Sequence, residues 1–346
     1  MAAYLYHGNQ SYGIFGEESA WGTAVVPTGG ANIDHYDTIS FDMDNGRGYD
    51  NALGESNLTQ VHNGNVEITG SVEGNFSNAS FLQYIVGGNL IAGADGDESD
   101  PNQLRESTNF GYAETETPSL SLEIGRLVGG DSDVMVLDGL TFPTGRIGAA
   151  AGEKVKYSYD FRARNAVTST TAETISNPTA KPFNFVEGTW KFGSDAVLRI
   201  RNFEISFALD YDYSYNLTDG RLLEQPVWKK REYTFTLGVT HSVDDAATSM
   251  DGVELRELLY GAAASTTFDT TGTPDEAGNI ELVLTKGTGD SDPTATIQLE
   301  GAYIDKINEP INLDGKIVFS VTGHAVKGLT DTGQQIPVEY YDHSVA

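Results

Sequence analysis

Residues able to do acid, base or metal chemistry are plentiful in this 346-residue chain, and their spacing gathers none of them into a site. Six histidines, His7, His35, His62, His241, His324 and His343, are scattered. They form no HExxH pair for zinc and no local Ser/His/Asp grouping that could activate a nucleophile. Gly129–Asp133 (GGDSD) and Gly287–Asp292 (GTGDSD) lack the Lys and Ser/Thr of a phosphate loop and the full oxygen set of a calcium loop, and both read as hairpin turns. With 50 Asp and Glu side chains, a carboxylate pair at glycosidase spacing can be chosen anywhere, so that pairing carries no information. Sequons at Asn9, Asn57, Asn75, Asn78 and Asn216 are short triplets in a Ser/Thr-rich chain. Cysteine is absent, which removes disulfides, thiolate metal sites and a cysteine nucleophile. The chain reads as a non-enzyme with no cofactor and no metal.

Formal charge is −29, from 50 acidic against 21 basic side chains, and the acids are spread along the chain. Such a surface repels nucleic acid phosphate and disfavours sequence-reading or tight backbone binding, while leaving passive passage of DNA open. It also suits concentrated salt, where screening removes the self-repulsion that would loosen the fold. The start, MAAYLYHGNQSYGIFG, lacks a basic region followed by an apolar core, and no apolar run reaches 18 residues. The expectation is a chain neither conventionally secreted nor membrane-spanning.

The elements that must position these residues are strands. In Ile39–Asp44 (ISFDMD) apolar Ile39, Phe41 and Met43 alternate with Ser40, Asp42 and Asp44, the period of a strand with one dry and one wet face. Val66–Glu73, Val155–Phe161, Ile205–Tyr215 and Tyr233–Val239 read the same way and are rich in residues that pack well on pleated surfaces. Helical signals come as a pair. Ser77 or Asn78 caps a stripe of Phe81, Leu82, Ile85 and Val86 that stops at Gly87, and Asp251 caps a stripe of Leu255, Leu258 and Leu259 that stops at Gly261.

Two 27-residue segments share one layout. Leu137–Ala163 lies over Leu299–Ala325 at an offset of 162 (299 − 137), matching Gly139 with Gly301, Lys154 with Lys316 and Ser158 with Ser320. At the same offset Leu120, Leu122 and Gly125 meet Leu282, Leu284 and Gly287. Ile39 meets Ile205 at 166, Val66–Val72 meets Tyr233–Val239 at 167, and Gly87 meets Gly261 at 174. The shared order of elements points to internal duplication. It predicts domains at 1–165 and 183–330, a Thr/Ser/Ala-rich linker at 166–182 and a tail at 331–346.

Tyr12–Gly30 (YGIFGEESAWGTAVVPTGG) carries a glycine and an acidic pair ahead of an aromatic-Gly-Thr turn, filled by Gly16, Glu17, Glu18, Trp21, Gly22 and Thr23. With the β-rich body that follows, it resembles the opening of the tail tube proteins (major tail proteins) of long-tailed double-stranded DNA viruses. Most members have one domain and form hexameric rings, whereas some carry two in tandem and form trimers with pseudo-sixfold symmetry. The resemblance therefore implies a mainly β fold of two tandem tail-tube-type β-sandwich domains. Each has one short α-helix and a long β-hairpin, and together they contribute to a ring-closed β-barrel of roughly two dozen strands around an open channel. Glu187–Asp195 (EGTWKFGSD) is only a poor echo of the opening motif in the second half.

On that resemblance the apolar positions Ile39, Phe41, Met43, Ile205, Phe207 and Leu209 pack against a second sheet and helix. Asp42, Asp44, Glu67, Glu73, Asp210, Asp212, Thr234 and Thr236 become lumen-lining candidates. The implied partners are further copies of the chain, tape measure, tail terminator and baseplate proteins, and passing double-stranded DNA that is not held. The implied place is the virion tail, with no membrane, and the charge suggests a haloarchaeal tailed virus. Two other readings fit the same composition. One is a two-domain β-sandwich adhesin or capsid-decorating protein of a halophilic virus, and the other is a halophilic glycosidase presenting Trp190 and Trp228 to sugar.

Overall fold

A computed structural model of the chain describes residues 11–25, 35–51, 53, 57–77, 79, 81–82, 84–85, 88–91, 103–106, 119–128, 131–169, 181–192, 195–197, 199–240, 249–250, 252–260, 267, 278–286, 294–310, 317–326, 328–329, 335–336 and 338–342. Strands dominate. The first run is β1 (Ser11–Glu17), β2 (His35–Asp44), β3 (Arg47–Asp50), β4 (Gln60–Asn63), β5 (Glu67–Asn75), β6 (Gly88–Ile91), β7 (Gln103–Glu106), β8 (Leu120–Val128), β9 (Asp131–Ala150), β10 (Lys156–Ala163) and β11 (Asn165–Ser169). The second is β12 (Gly188–Phe192), β13 (Asp195–Val197), β14 (Ile200–Asp212), β15 (Val227–Thr240), β16 (Ser249–Met250), helix α1 (Gly252–Tyr260), β17 (Gly278–Thr285), β18 (Thr294–Asn308) and β19 (Val318–Ala325). Short strands β20 (Gly328–Leu329), β21 (Gln335–Ile336) and β22 (Val338–Asp342) follow.

The alternating segments line up as one antiparallel sheet in the order β2, β5, β10, β9, β14, β15, β19, β18. Two smaller sheets pack on its apolar face. One is β1, β8, the first half of β9 and β11. The other is β12, β17, the first half of β18 and β22, extended by β7 and β6. Aromatic residues fill the space between layers. Phe81 stands edge-on to Phe15 at 5.3 Å and to Phe142 at 5.2 Å. In the other half Trp190 lies 6.0 Å from Phe203 and 6.2 Å from Phe235. Trp190 is thus a core residue, buried to 2% exposure and closed to any sugar.

Strands β9 and β18 serve both layers, and each changes layer at a glycine in the left-handed region. Gly139 has φ +62 where the register with β8 shifts, and Gly301 has φ +51 where the register with β17 shifts. One extra residue at a left-handed glycine is the signature of a β-bulge, which bends a strand and sharpens its twist. These two positions match at the offset of 162, and each lies mid-strand.

The two halves use the same order of partners. Thr38, Glu73, Ser158 and Arg146 form one row across β2, β5, β10 and β9. Asn202, Gly238, Ser320 and Asn308 form a row across β14, β15, β19 and β18. The offsets are 202 − 38 = 164, 238 − 73 = 165, 320 − 158 = 162 and 308 − 146 = 162. Sequence matching places the first two at 166 and 167. Both slips are of two residues, which leaves every side chain on its expected face because the strand period is two. The poor echo at Glu187–Asp195 contains β12, which pairs with β17 as β1 pairs with β8.

Other expectations shift at the edges of elements. Residues assigned to a linker at 166 onward begin as β11, held to β9, and the expected tail contributes β22, held to β18. Helix α1 forms where its caps predict, with Leu255 buried. The first expected helix lies partly outside the described residues. Its described part is a short helical turn with Phe81, Leu82 and Ile85 buried.

A side chain at Gly139 would sit 2.7 Å from Cβ of Arg164 as well as forcing a left-handed backbone. Gly139→Ala is expected to lower stability in urea unfolding by about 2–4 kcal/mol, strain and crowding together. Gly152→Ala, at φ +90 with nothing within 4 Å, loses only the strain, about 1–2 kcal/mol.

Candidate functional site

The sheet face opposite the core holds every position that the alternation marked as polar. Asp42, Asp44, Glu67, Glu73, Asp210 and Asp212 are exposed there, and Thr234 and Thr236 are half-buried. They occur as neighbours across strands. Asp44 stands opposite Glu67, Thr236 opposite Glu204, and Asp210 opposite Lys230. Residues outside the alternating segments share this face, among them Arg146, Arg162, Lys230, Glu232 and Lys306. The face is therefore mixed in charge. Cross-strand pairing alone reveals this, because a basic residue joins the acids only through its register.

Local pairs neutralise much of it. Glu67 meets Arg162 at 3.1 Å, Asp212 meets Lys229 at 3.1 Å, and Glu232 meets Lys230 at 2.8 Å. Glu73 accepts from the Ser158 hydroxyl at 3.3 Å, and Asp160 accepts from Thr144 at 2.6 Å. His324 bridges Asp305 and Glu232, the latter at 3.1 Å. The Asp305 hydrogen bond foremost raises the His324 pKa, and hydrogen bonds from Lys230 and then His324 hold the Glu232 carboxyl below its ordinary range.

The halves meet along β9 and β14, where Arg146 faces Ser206 and Ile147 faces Ile205. A clasp closes one end of this joint. The Arg162 guanidinium lies 4.5 Å over the Tyr213 ring, and the Tyr213 hydroxyl shares a hydrogen bond with Thr141 at 3.1 Å. Tyr215 donates to the Val66 carbonyl at 3.0 Å, and Arg221 donates to the Asn45 carbonyl at 2.6 Å. The loop between β14 and β15 thus grips the base of the β3–β4 hairpin, whose Leu58, Val61 and Tyr49 remain exposed.

The amino-terminal motif proves structural. Buried Glu18 accepts four hydrogen bonds, from the Gly22 and Gly139 amides at 2.9 and 2.8 Å and from the Ser119 and Ser121 hydroxyls at 2.6 and 2.7 Å. It pins the Trp21-Gly22 turn to the bend of β9. Beside it Asp138 is 2% exposed. Burial first, then the Glu18 charge, pushes its carboxyl from 3.8 up to about 6, against the pull of Arg164 and a hydrogen bond with Asn165. Arg164 in turn pairs with Asp219 of the second half at 3.2 Å.

The polar groups spread over a wide sheet face, with two open hollows among the described residues, one at Glu73, Arg146, Ser158 and Glu204 and one at Asp42, Thr69, Asp160 and Arg162. The chain belongs to the phage tail tube protein family, whose model matches residues 8–315. Membership places the protein in the virion, in the tail, and the family is not known for enzymatic activity. A cryo-EM structure of the anti-feeding prophage cap, a tube terminating cap, aligns at 13% identity and a TM-score of 0.34, over 50% of this chain and 99% of that one. No curated protein matches the chain.

A carboxyl whose folded pKa lies above its unfolded one stabilises while protonated. The contribution of Asp138 is full below about pH 4 and is lost as pH rises through about 6. Asp138→Asn keeps the uncharged form at every pH. Thermal melts at pH 4 and pH 7 should show the wild type losing stability relative to this variant, and parallel pH profiles would refute the assignment.

Proposed function

We propose that this chain is a tandem tail tube protomer, three copies of which close a pseudo-sixfold ring that stacks into the tube through which the viral genome passes. The two matching partner orders are two tube-type domains, 1–165 and 183–330, joined through 166–182, with 331–346 as a tail that folds back. Three copies of the eight-strand layer make a barrel of twenty-four strands, wide enough for an open channel.

The observation that carries this reading is a mismatch in burial. Met43 on β2 is 53% exposed, while Phe207, 164 positions on and at the same place in β14, is 1% exposed. The difference lies in the outer edge. That of β14 is paired by β9, whereas that of β2 has no strand partner among the described residues. Among the described residues the second half of β18 likewise pairs with β19 alone. An unpaired edge next to an exposed apolar residue is an aggregation hazard that ring closure removes. Repeating the β9–β14 register between copies sets β18 of one against β2 of the next, with Ile307 opposite Met43 and Lys306 opposite Asp44.

In the ring the polar face turns inward. Asp42, Asp44, Glu67, Glu73, Asp210, Asp212, Thr234 and Thr236 then line the lumen, and their hydrated, net acidic surface repels phosphate and lets DNA slide. Tape measure, terminator and baseplate proteins meet the tube inside and at its ends. The formal charge of −29 suits a virus of a salt-loving archaeal host, and assembly strengthens as salt screens repulsion between copies.

Purified protein in concentrated salt should form hollow tubes by negative-stain microscopy, with three chains per ring. Met43→Asp should abolish them while shifting monomer stability by less than about 0.5 kcal/mol, as expected of an exposed position. The lack of native cysteine allows a second check. In tubes of Asp42→Cys a small maleimide should react and a large polyethylene glycol maleimide should not, and reaction with the large reagent would place that face outside.

A further inference from the structure

The joint between the two halves has a built-in comparison with the joint between copies. Residue for residue, the register that relates the halves maps Arg162 to His324 (324 − 162 = 162) and Glu67 to Glu232 (232 − 67 = 165). Both pairs are salt-bridged, Arg162 to Glu67 and His324 to Glu232, each at 3.1 Å. The same register maps Thr141 to Tyr303, since Thr141 faces Arg162 as Tyr303 faces His324. It also maps Tyr213 to Tyr49. Arg47 and Gly48 pair with Asn63 and His62, and Tyr211 and Asp212 pair with Trp228 and Val227, after the same one-residue shift. Tyr213 is covered by Arg162 inside the chain, while Tyr49 is 55% exposed and the His324 side chain is 45% exposed.

We propose that the ring interface between copies is completed by the Tyr49 ring of one copy stacking on His324 of the next, beside Tyr303, in the place where Tyr213 stacks on Arg162 within the chain. The inference rests on the ring reading above and names its contact. The partner is a second copy of this chain, presenting an aromatic face to an imidazolium. A cation over an aromatic face is attracted by the ring quadrupole, and the attraction grows as water is excluded.

The difference between the joints is chemical. Arg162 is charged at every accessible pH, whereas His324 is charged only when protonated. Its surroundings favour the proton. Asp305 from β18 and Glu232 from β15 both bind its ring nitrogens, with Lys230 paired to Glu232 and Lys306 further along β18. Across the interface the next copy adds Tyr49 and sets Asp44 against Lys306. These acids outweigh the bases around the ring, and the His324 pKa is raised, the Asp305 hydrogen bond first among the causes. The charged joint therefore persists below the ordinary value of 6.5 and loses its cation as pH rises through the raised value. The joint inside the chain is indifferent to that change.

The test is tube assembly followed by light scattering and negative-stain microscopy in concentrated salt from about pH 6 to about pH 9, spanning the range in which a histidine titrates. The wild type should assemble well at the acid end and require about tenfold more protein at the alkaline end, the factor expected of one desolvated cation–aromatic contact. His324→Arg should assemble equally at both ends, as the Arg162 joint does. Tyr49→Ala, at a position exposed in the single chain, should raise the required concentration about tenfold at the acid end and leave the alkaline end unchanged. Circular dichroism of each variant checks the fold. Assembly by the wild type that ignores pH, or by Tyr49→Ala at the wild-type concentration, overturns the contact and leaves the ring standing. Failure of the wild type to form tubes at any pH overturns both.

Discussion

A β-strand must satisfy its backbone along both edges, and in this protein that demand falls on two long strands. β9 and β18 each close a small sheet with their first half and join the large sheet with their second. A straight strand cannot do both, because two packed layers lie about 10 Å apart. The left-handed glycines at Gly139 and Gly301 supply the bend, and the bulge beside each absorbs the extra residue. Once bent, the second half of β9 has a free edge that β14 fills. The second half of β18 has the same kind of edge, and the proposed ring is the way to fill it.

The strongest local bonding gathers around the first of these bends. Glu18 satisfies the Gly139 amide, the Gly22 amide and two serine hydroxyls at once, in a buried setting where each unmet donor would cost about 1–3 kcal/mol. Burial first, and then the Glu18 charge beside it, makes Asp138 hold its proton more tightly. The amino-terminal motif is therefore a staple for the layer change.

The two halves share a frame and differ in what their surfaces meet. Phe207, Arg162 and Tyr213 are covered within the chain, while their counterparts Met43, His324 and Tyr49 are exposed. An exposed position tolerates changes that a packed core does not. The side chains at these positions differ between the halves, while the bends of β9 and β18, the bulges beside them and the pairing order are the same. Mixed charge on the polar face follows from the same register. Acids predominate, and Arg162 and Lys229 each meet a carboxylate from a neighbouring strand.

Alternation made the dry and wet faces legible without any structure, because the side-chain period of a strand is two and depends only on neighbours in the chain. Ile39 and Phe41 against Asp42 and Asp44 is such a reading, whereas Met43, expected on the dry face, is exposed in the single chain. The amino acids alone also gave the mainly β class and the place of α1. The tertiary structure decided everything that depends on partners far apart in the chain. That includes Arg146 and Lys306 on the acidic face, Trp190 in the core, Glu18 beneath Gly139, and offsets of 164 and 165 in place of 166 and 167. Residues 121 positions apart, as Glu18 and Gly139 are, leave no periodic trace of their contact. Only the closing of the sheet brings them together.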